Sequence, residues 1–181
     1  MPRTPERVGS APGAKGGTEM SRAGDLNGAP TPGWIIGYRG TCYPADCDHM
    51  GHMNVAAYVK KFDEGTWLLW DAVGLSAHRM AETKRGLAAL KSTVEYVREV
   101  FPGEALTVRS AIVEVGAKTA RFRHVMSVAK QGGPVEAARC EYLVCYLDRE
   151  GHKGEAWPED LRAGLHEWCK AADDQDVEPK E

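Results

Sequence analysis

The sequence predicts an α+β domain in which one long helix packs against a single antiparallel sheet. Three observations predict it. Residues 54–73 carry apolar side chains at helical spacing. Four later segments are strand-like in pattern. The links between those strands are too short for anything but antiparallel neighbours.

Taken in order, residues 34–43 (WIIGYRGTCY) form the first strand, and 44–53 a polar loop containing Gly51. The long helix follows. On a 3.6-residue period Val55, Tyr58, Val59, Phe62, Leu69 and Val73 share one face, with Lys60, Glu64 and Asp71 opposite. Gly65 lies at the edge of the apolar face. A helical glycine costs up to about 1 kcal/mol relative to Ala, so a close approach to neighbouring backbone is expected there. Gly74 is placed to end the helix. After a connection with helical character come strands at 87–100, 105–115, 119–130 and 135–147. Phe101-Pro102-Gly103, Gly116-Ala117 and Gln131 to Pro134 separate them. A last helix starts near Pro158, with Leu161, Leu165 and Trp168 on one face.

The ends differ from this middle. Residues 1–32 are rich in Gly, Pro, Ala, Ser and Thr and cannot bury enough surface to offset their ordering entropy, so a disordered tail is expected. Met20 is a second candidate start. Residues 173–181 are polar and expected to fray, which leaves one domain over 33–172. There is no internal repeat.

The balance of 23 Lys and Arg against 26 Asp and Glu gives a net charge of −3. That excludes the basic footprint of a nucleic-acid binder, and the even spread of the cations argues against an electrostatic membrane anchor. No apolar run approaches the ~18 residues of a membrane span. Cys42, Cys47, Cys140, Cys145 and Cys169 are odd in number and contain no CxxC, a pattern of reduced thiols in a cytoplasmic protein rather than a disulfide scaffold or a zinc site.

Chemistry concentrates in 46–58, where Asp46, Asp48, His49, His52 and Asn54 precede the long helix. A helix start presents unpaired N–H groups and the positive end of its dipole. A carbonyl held there gains donors aimed at the charge that develops on its oxygen, and a neighbouring carboxylate can attack it or activate water. A Ca²⁺ loop is excluded, because Met50 and Ala57 stand where oxygen ligands are required. A transition-metal site from Asp46, Asp48, His49 and His52 has suitable donors but no HExxH or cysteine pair beside it. On spacing alone, an Asx-rich turn with Asn54 as N-cap explains the same residues without any catalysis.

In combination, Asp46, Asp48, Gly51, His52, Asn54 and Tyr58 resemble the D-x-D-x-x-G-H-x-N pattern, with a Tyr shortly into the helix, of the 4-hydroxybenzoyl-CoA thioesterase and YbgC-like group of hotdog-fold thioesterases. The likeness continues through Glu95 to Leu106 and covers about 34–150. It implies a hotdog fold, a five-stranded antiparallel sheet wrapped round the central helix. The implied activity is hydrolysis of an acyl-CoA, or an acyl-carrier-protein thioester, with no cofactor and no metal. Asp48 is then the nucleophile or general base, and the amide of Val55 the oxyanion donor. His52 positions water or substrate, Asn54 caps the helix or touches substrate, and Asp46 is structural.

Tyr58, His49 and Trp70 are candidate substrate contacts. His49 either tunes Asp48 or faces solvent. Trp67 and Trp70 lie off the centre of the apolar face, where packing competes with acyl contact. If they line the acyl pocket, cation–π contact admits a cationic acyl group such as betainyl-CoA, whose thioesterases have a similar motif. The resemblance further implies a homodimer or homotetramer with sites at subunit interfaces, and Lys118, Arg121 and Arg123 as candidate phosphate contacts for CoA. His78, His124, His152 and His166 show no partner pattern and read as surface or satisfied core residues. The rival readings are a hotdog-fold hydratase or dehydratase, whose G-D-x-N-P-x-x-H layout this chain lacks, and a non-catalytic acyl-CoA-binding module.

Overall fold

A computed structural model describes residues 30–176; the expected tail before residue 30, with Met20, and residues 177–181 lie outside them. The elements run β1 (Ile35–Thr41), a 3-10 turn (Pro44–Asp46), α1 (Val55–Ala72), α2 (Ala77–Thr83), β2 (Arg85–Tyr96), β3 (Ala105–Val115), β4 (Thr119–Lys130), β5 (Gly133–Asp148), β6 (Lys153–Gly154) and α3 (Glu159–Asp176). The sheet is antiparallel in the order β1-β3-β4-β5-β2. Its five long strands are those expected, and β6 adds a two-residue sixth paired to β5. The link through α1 and α2 carries the chain from one sheet edge to the other.

Local chemistry sets the ends of α1. Asn54 caps it, its side chain accepting the Ala56 amide at 2.9 Å. At the other end Gly74 (φ +85°) turns the chain, with Gly74 N donating to Asp71 O and Leu75 N to Trp70 O. That paired closure suits a residue without a Cβ. Inside the helix, Gly65 lies against β1. A Cβ on Gly37 would sit 2.8 Å from the Gly65 Cα, and one on Gly65 3.1 Å from Ser110 Oγ. The close approach expected at Gly65 is present.

Two apolar clusters lie along the helix. One holds Tyr58, Phe62, Leu106, Val108, Met126 and Cys140 beneath the first half of α1. The other gathers Leu69, Trp70, Val73, Ile112, Phe122 and Val144 with Leu161, Leu165 and Trp168 of α3. Between them sits a polar trio. His124, fully buried, meets Ser110 Oγ through Nδ1 at 2.7 Å and Thr66 Oγ1 through Nε2 at 3.0 Å.

Several boundaries differ from expectation. β2 ends at Tyr96 rather than near residue 100, because the amides of Val97 and Arg98 both donate to Ala137 O and the ladder stops. α3 continues past Asp173, and Gln175 Oε1 accepts the Trp34 amide at 2.8 Å. The predicted apolar face of α1 is only partly covered, with Val55 and Val59 58% and 41% exposed. Lys61 is buried instead, because Asp46 pairs with it.

Candidate active site

The loop between β1 and α1 is a chain of backbone locks. Asn54 N donates to Asp46 O at 2.8 Å, Met53 N to Val100 O at 2.8 Å, and Asp48 N to His52 O at 3.2 Å. Gly51, at φ +81°, closes the turn by donating to Asp48 O. Asp46 anchors the loop: its Oδ2 accepts the Tyr43 amide at 3.0 Å and the Lys61 ammonium at 3.1 Å. The backbone donor from Tyr43, followed by Lys61, holds this carboxyl below its ordinary range. Burial is the largest influence on Lys61 and works to lower its value, but Asp46 and Tyr38 together outweigh it and the ammonium is held above its usual range. Asp46 therefore sits in the structural position expected of it.

Asp48 is half-buried. Its Oδ1 accepts the Met50 amide at 2.9 Å, and Asn54 Nδ2 approaches its Oδ2 at 3.4 Å. Asn54 thus serves two neighbours, capping α1 through Oδ1 and orienting the carboxylate through Nδ2. The Val55 amide, one residue on, has no acceptor among the described residues. Carboxylate and open N–H belong to one short stretch linked by a single asparagine. His52 lies alongside, its Nε2 3.7 Å from Glu99 Oε1 and its Nδ1 3.5 Å from Met53 O.

A cavity of about 300 Å³ opens at this helix start, lined by His52, Met53, Val55, Tyr58, Tyr96, Val97, Arg98 and Glu99. Asp48, Asn54 and His49 are not among its lining residues. His49 is exposed, with no polar contact to Asp48 among the described residues. Tyr58 is buried and donates its hydroxyl to Arg98 O at 3.3 Å; burial pushes that phenol up to about 12. Trp70 is not brought to this site. It is buried edge-on to Phe122 and lines a second cavity of about 180 Å³ with Asp63, Thr66, Trp67, Met80, Leu87, Ala89, Phe122, Tyr142 and Val144.

The lining contributed by Tyr96 to Glu99 received no site role from the sequence. Its signal was the resemblance over Glu95 to Leu106, and the premature end of β2 is what turns these residues toward the helix start. Arg98 Nε is buried without a hydrogen-bond partner. The cations suggested for CoA are engaged elsewhere: Lys118 with Gly154 O at 2.9 Å, Arg121 with Glu114 at 2.8 Å and Arg123 with Glu141 at 2.7 Å. No group of three or more His, Cys, Asp or Glu side chains among the described residues is disposed to hold a metal ion. Nor is any helix among them long and apolar enough to cross a membrane.

Residues 42–165 match the family model of the thioesterase-like superfamily, and the chain belongs to that family. No curated protein sequence matches it. Among solved structures it is similar to the hypothetical protein SAV2348 from Staphylococcus aureus in complex with CoA, with 20% identity, TM-score 0.68, and 78% of this chain and 89% of that one covered. It is also similar to YbaW, a probable thioesterase from Escherichia coli (18% identity, TM-score 0.63, 75% and 99% covered). A third is an aspartate-to-asparagine mutant of 4-hydroxybenzoyl-CoA thioesterase complexed with 4-hydroxybenzoyl-CoA (19% identity, TM-score 0.66, 73% and 98% covered). The curled sheet round α1 is the hotdog fold.

Proposed function

We propose that this protein hydrolyses acyl-CoA thioesters in the cytoplasm, with Asp48 as nucleophile or general base and the Val55 amide as the oxyanion donor. One observation carries the proposal: Asn54 ties the Asp48 carboxylate to a helix start whose Val55 N–H is unspent. The thioester carbonyl would accept the Val55 N–H, where the dipole of α1 favours the oxygen's developing charge. His52, at the cavity wall, would position water or substrate.

A second subunit completes the reading. β2 is an edge strand of twelve residues, and edges of that length are normally paired or covered. Exposed Val55, Val59, Trp67, Leu90, Tyr96 and Val97 lie on α1 and along or just after β2. Antiparallel pairing of two β2 edges about a two-fold axis would set the two α1 helices side by side in opposite directions. The helix start of one subunit would then approach the aromatic cavity of the other. Trp67, Trp70, Phe122 and Tyr142 with Asp63, which has no hydrogen-bond or ion-pair partner among the described residues, support a cationic acyl group there, so betainyl-CoA belongs among the substrates tried.

The test is thiol release from a panel of CoA thioesters. Asp48→Asn is expected to lower kcat by about 10²-fold or more, the scale of a lost acid–base or nucleophilic group. Equal rates in the two proteins would refute the role of Asp48. Turnover of crotonyl-CoA by hydration, without thiol release, would favour the hydratase alternative, and binding without turnover the non-catalytic one.

A further inference from the structure

We propose that Cys42 and Cys47 form a reversible disulfide when the protein meets a hydroperoxide, and that this bond resets the loop carrying Asp48. The two Sγ atoms are 3.7 Å apart. Both aim at one carbonyl, Tyr43 O, at 3.9 Å from Cys42 and 3.6 Å from Cys47. A covalent S–S bond of about 2.05 Å therefore needs a closure of about 1.7 Å and no exchange of neighbours.

The two partners are set differently. Cys42 is fully buried and fixed at the end of β1, its N donating to Glu104 O at 2.9 Å and its O accepting the Gly103 amide at 2.8 Å. Cys47 is half-buried, forms an isolated β-bridge with Met53 and directly precedes Asp48. The residues between them make the 3-10 turn, pinned by the Asp46–Lys61 pair. Closure must therefore be taken up mainly on the Cys47 side, the side that holds the carboxylate.

Exposure makes Cys47 the sulfur that meets the oxidant. Its thiolate takes one oxygen from the hydroperoxide to give a sulfenic acid; from hydrogen peroxide the leaving hydroxide takes up the proton shed by the Cys47 thiol and departs as water. The sulfur of Cys42 then displaces the hydroxyl, which leaves as a second water with the Cys42 proton, and the S–S bond forms. Two thiols lose two electrons and one peroxide is reduced to two waters. In the reduced protein burial, and next the hydrogen bond to Cys47, push the Cys42 thiol up to about 12.

Tryptic cleavage after Arg39 and Lys60 leaves both cysteines on one peptide. Full-length reduced protein is treated with hydrogen peroxide, alkylated, digested and weighed with and without dithiothreitol. The expected product is the 40–60 peptide lacking two hydrogens, refractory to alkylation until reduced. In Cys42→Ala, Cys47 is expected to stop at a dimedone-reactive sulfenic acid. Free alkylation of both cysteines in peroxide-treated wild type, or a dithiothreitol-resistant acid at Cys47 with no bridge, would overturn the proposal. These mass readings do not depend on the proposed hydrolase activity. The loop consequence is read separately, by loss of thioester absorbance. Bridged protein is expected to lose about tenfold or more in kcat/KM, on the scale of a small misplacement of a catalytic group, and to recover it on reduction. A bridged protein with unchanged kcat/KM would overturn the coupling to Asp48.

Discussion

Asn54 divides its amide between two tasks, and substitution can separate them. Asn54→Ser keeps an N-cap oxygen and is expected to hold stability within a few tenths of a kcal/mol, while losing the donor to Asp48 and lowering kcat about tenfold. Asn54→Ala should lose both, with about 1 kcal/mol of stability. Chemical denaturation beside steady-state rates checks the pair. His124 carries a second prediction at this scale. Thr66 Oγ1 spends its proton on Phe62 O at 3.0 Å, so it accepts from His124 Nε2–H, and Ser110 donates to Nδ1. That arrangement requires a neutral ring, and burial pushes His124 down to about 3. The unfolded chain takes up this proton near 6.5 and the folded one does not. Stability is therefore complete above that pH and lost on acidification down to about 3. The slope from this one group approaches ~1.4 kcal/mol per pH unit. His124→Leu is expected to be less stable at neutral pH, by about 1–3 kcal/mol for the stranded hydroxyls, and to lack that slope. Urea midpoints at pH 5 and 7 decide it. The sequence showed Asp48, Asn54 and His52 as a group because they are adjacent in the chain. It could not join Ser110, His124 and Thr66, which only the packing of α1 on β3 and β4 brings together.

Among the elements, the crossing of α1 over β1 has the least slack. Gly37→Ala would drive a methyl to within 3 Å of the Gly65 backbone, and backbone cannot rotate aside as a flexible side chain can. A loss of about 1–3 kcal/mol is expected, measured as a fall in denaturation midpoint. Gly65 could be singled out beforehand because a helical glycine needs a reason. Gly37 could not, since a glycine in a strand gives no hint of which neighbour approaches it. Strand limits follow the same logic. β3 and β4 end where glycine or proline turns stand, and the sequence placed them to the residue. β2 stops where two successive amides share Ala137 O, a tertiary event with no local mark. β6 is too short to show any period. The burial of Lys61 likewise depends on Asp46, fifteen positions earlier.

For the whole molecule, the open β2 edge and the exposed apolar residues on α1 predict self-association. The protein is expected to sediment as a dimer of twice its 19.8 kDa mass, or a multiple of it. Ser92→Pro, which removes an amide from the open side of the edge strand while the neighbouring Thr93 and Lys91 keep the ladder to β5, should shift it toward monomer and lower activity with it. A fully active monomer would rule out a shared site. Fold class and the site-bearing loop were legible from the chain because short-range patterns encode them. The lining from Tyr96 to Glu99 was not, because it depends on where β2 leaves the sheet, a tertiary event.

The belt formed by Ser110, His124 and Thr66 also marks the boundary between the two apolar clusters. Tyr142 packs against both clusters, and Phe62 and Phe122 flank the His124 ring, so these aromatic side chains join the two clusters together with α1 and the sheet backbone. In Tyr142→Ala, which cuts that bridge, amide hydrogen exchange should resolve two cooperative units. The one built on α3 would open first after truncation before Pro158, leaving the helix start and its loop protected.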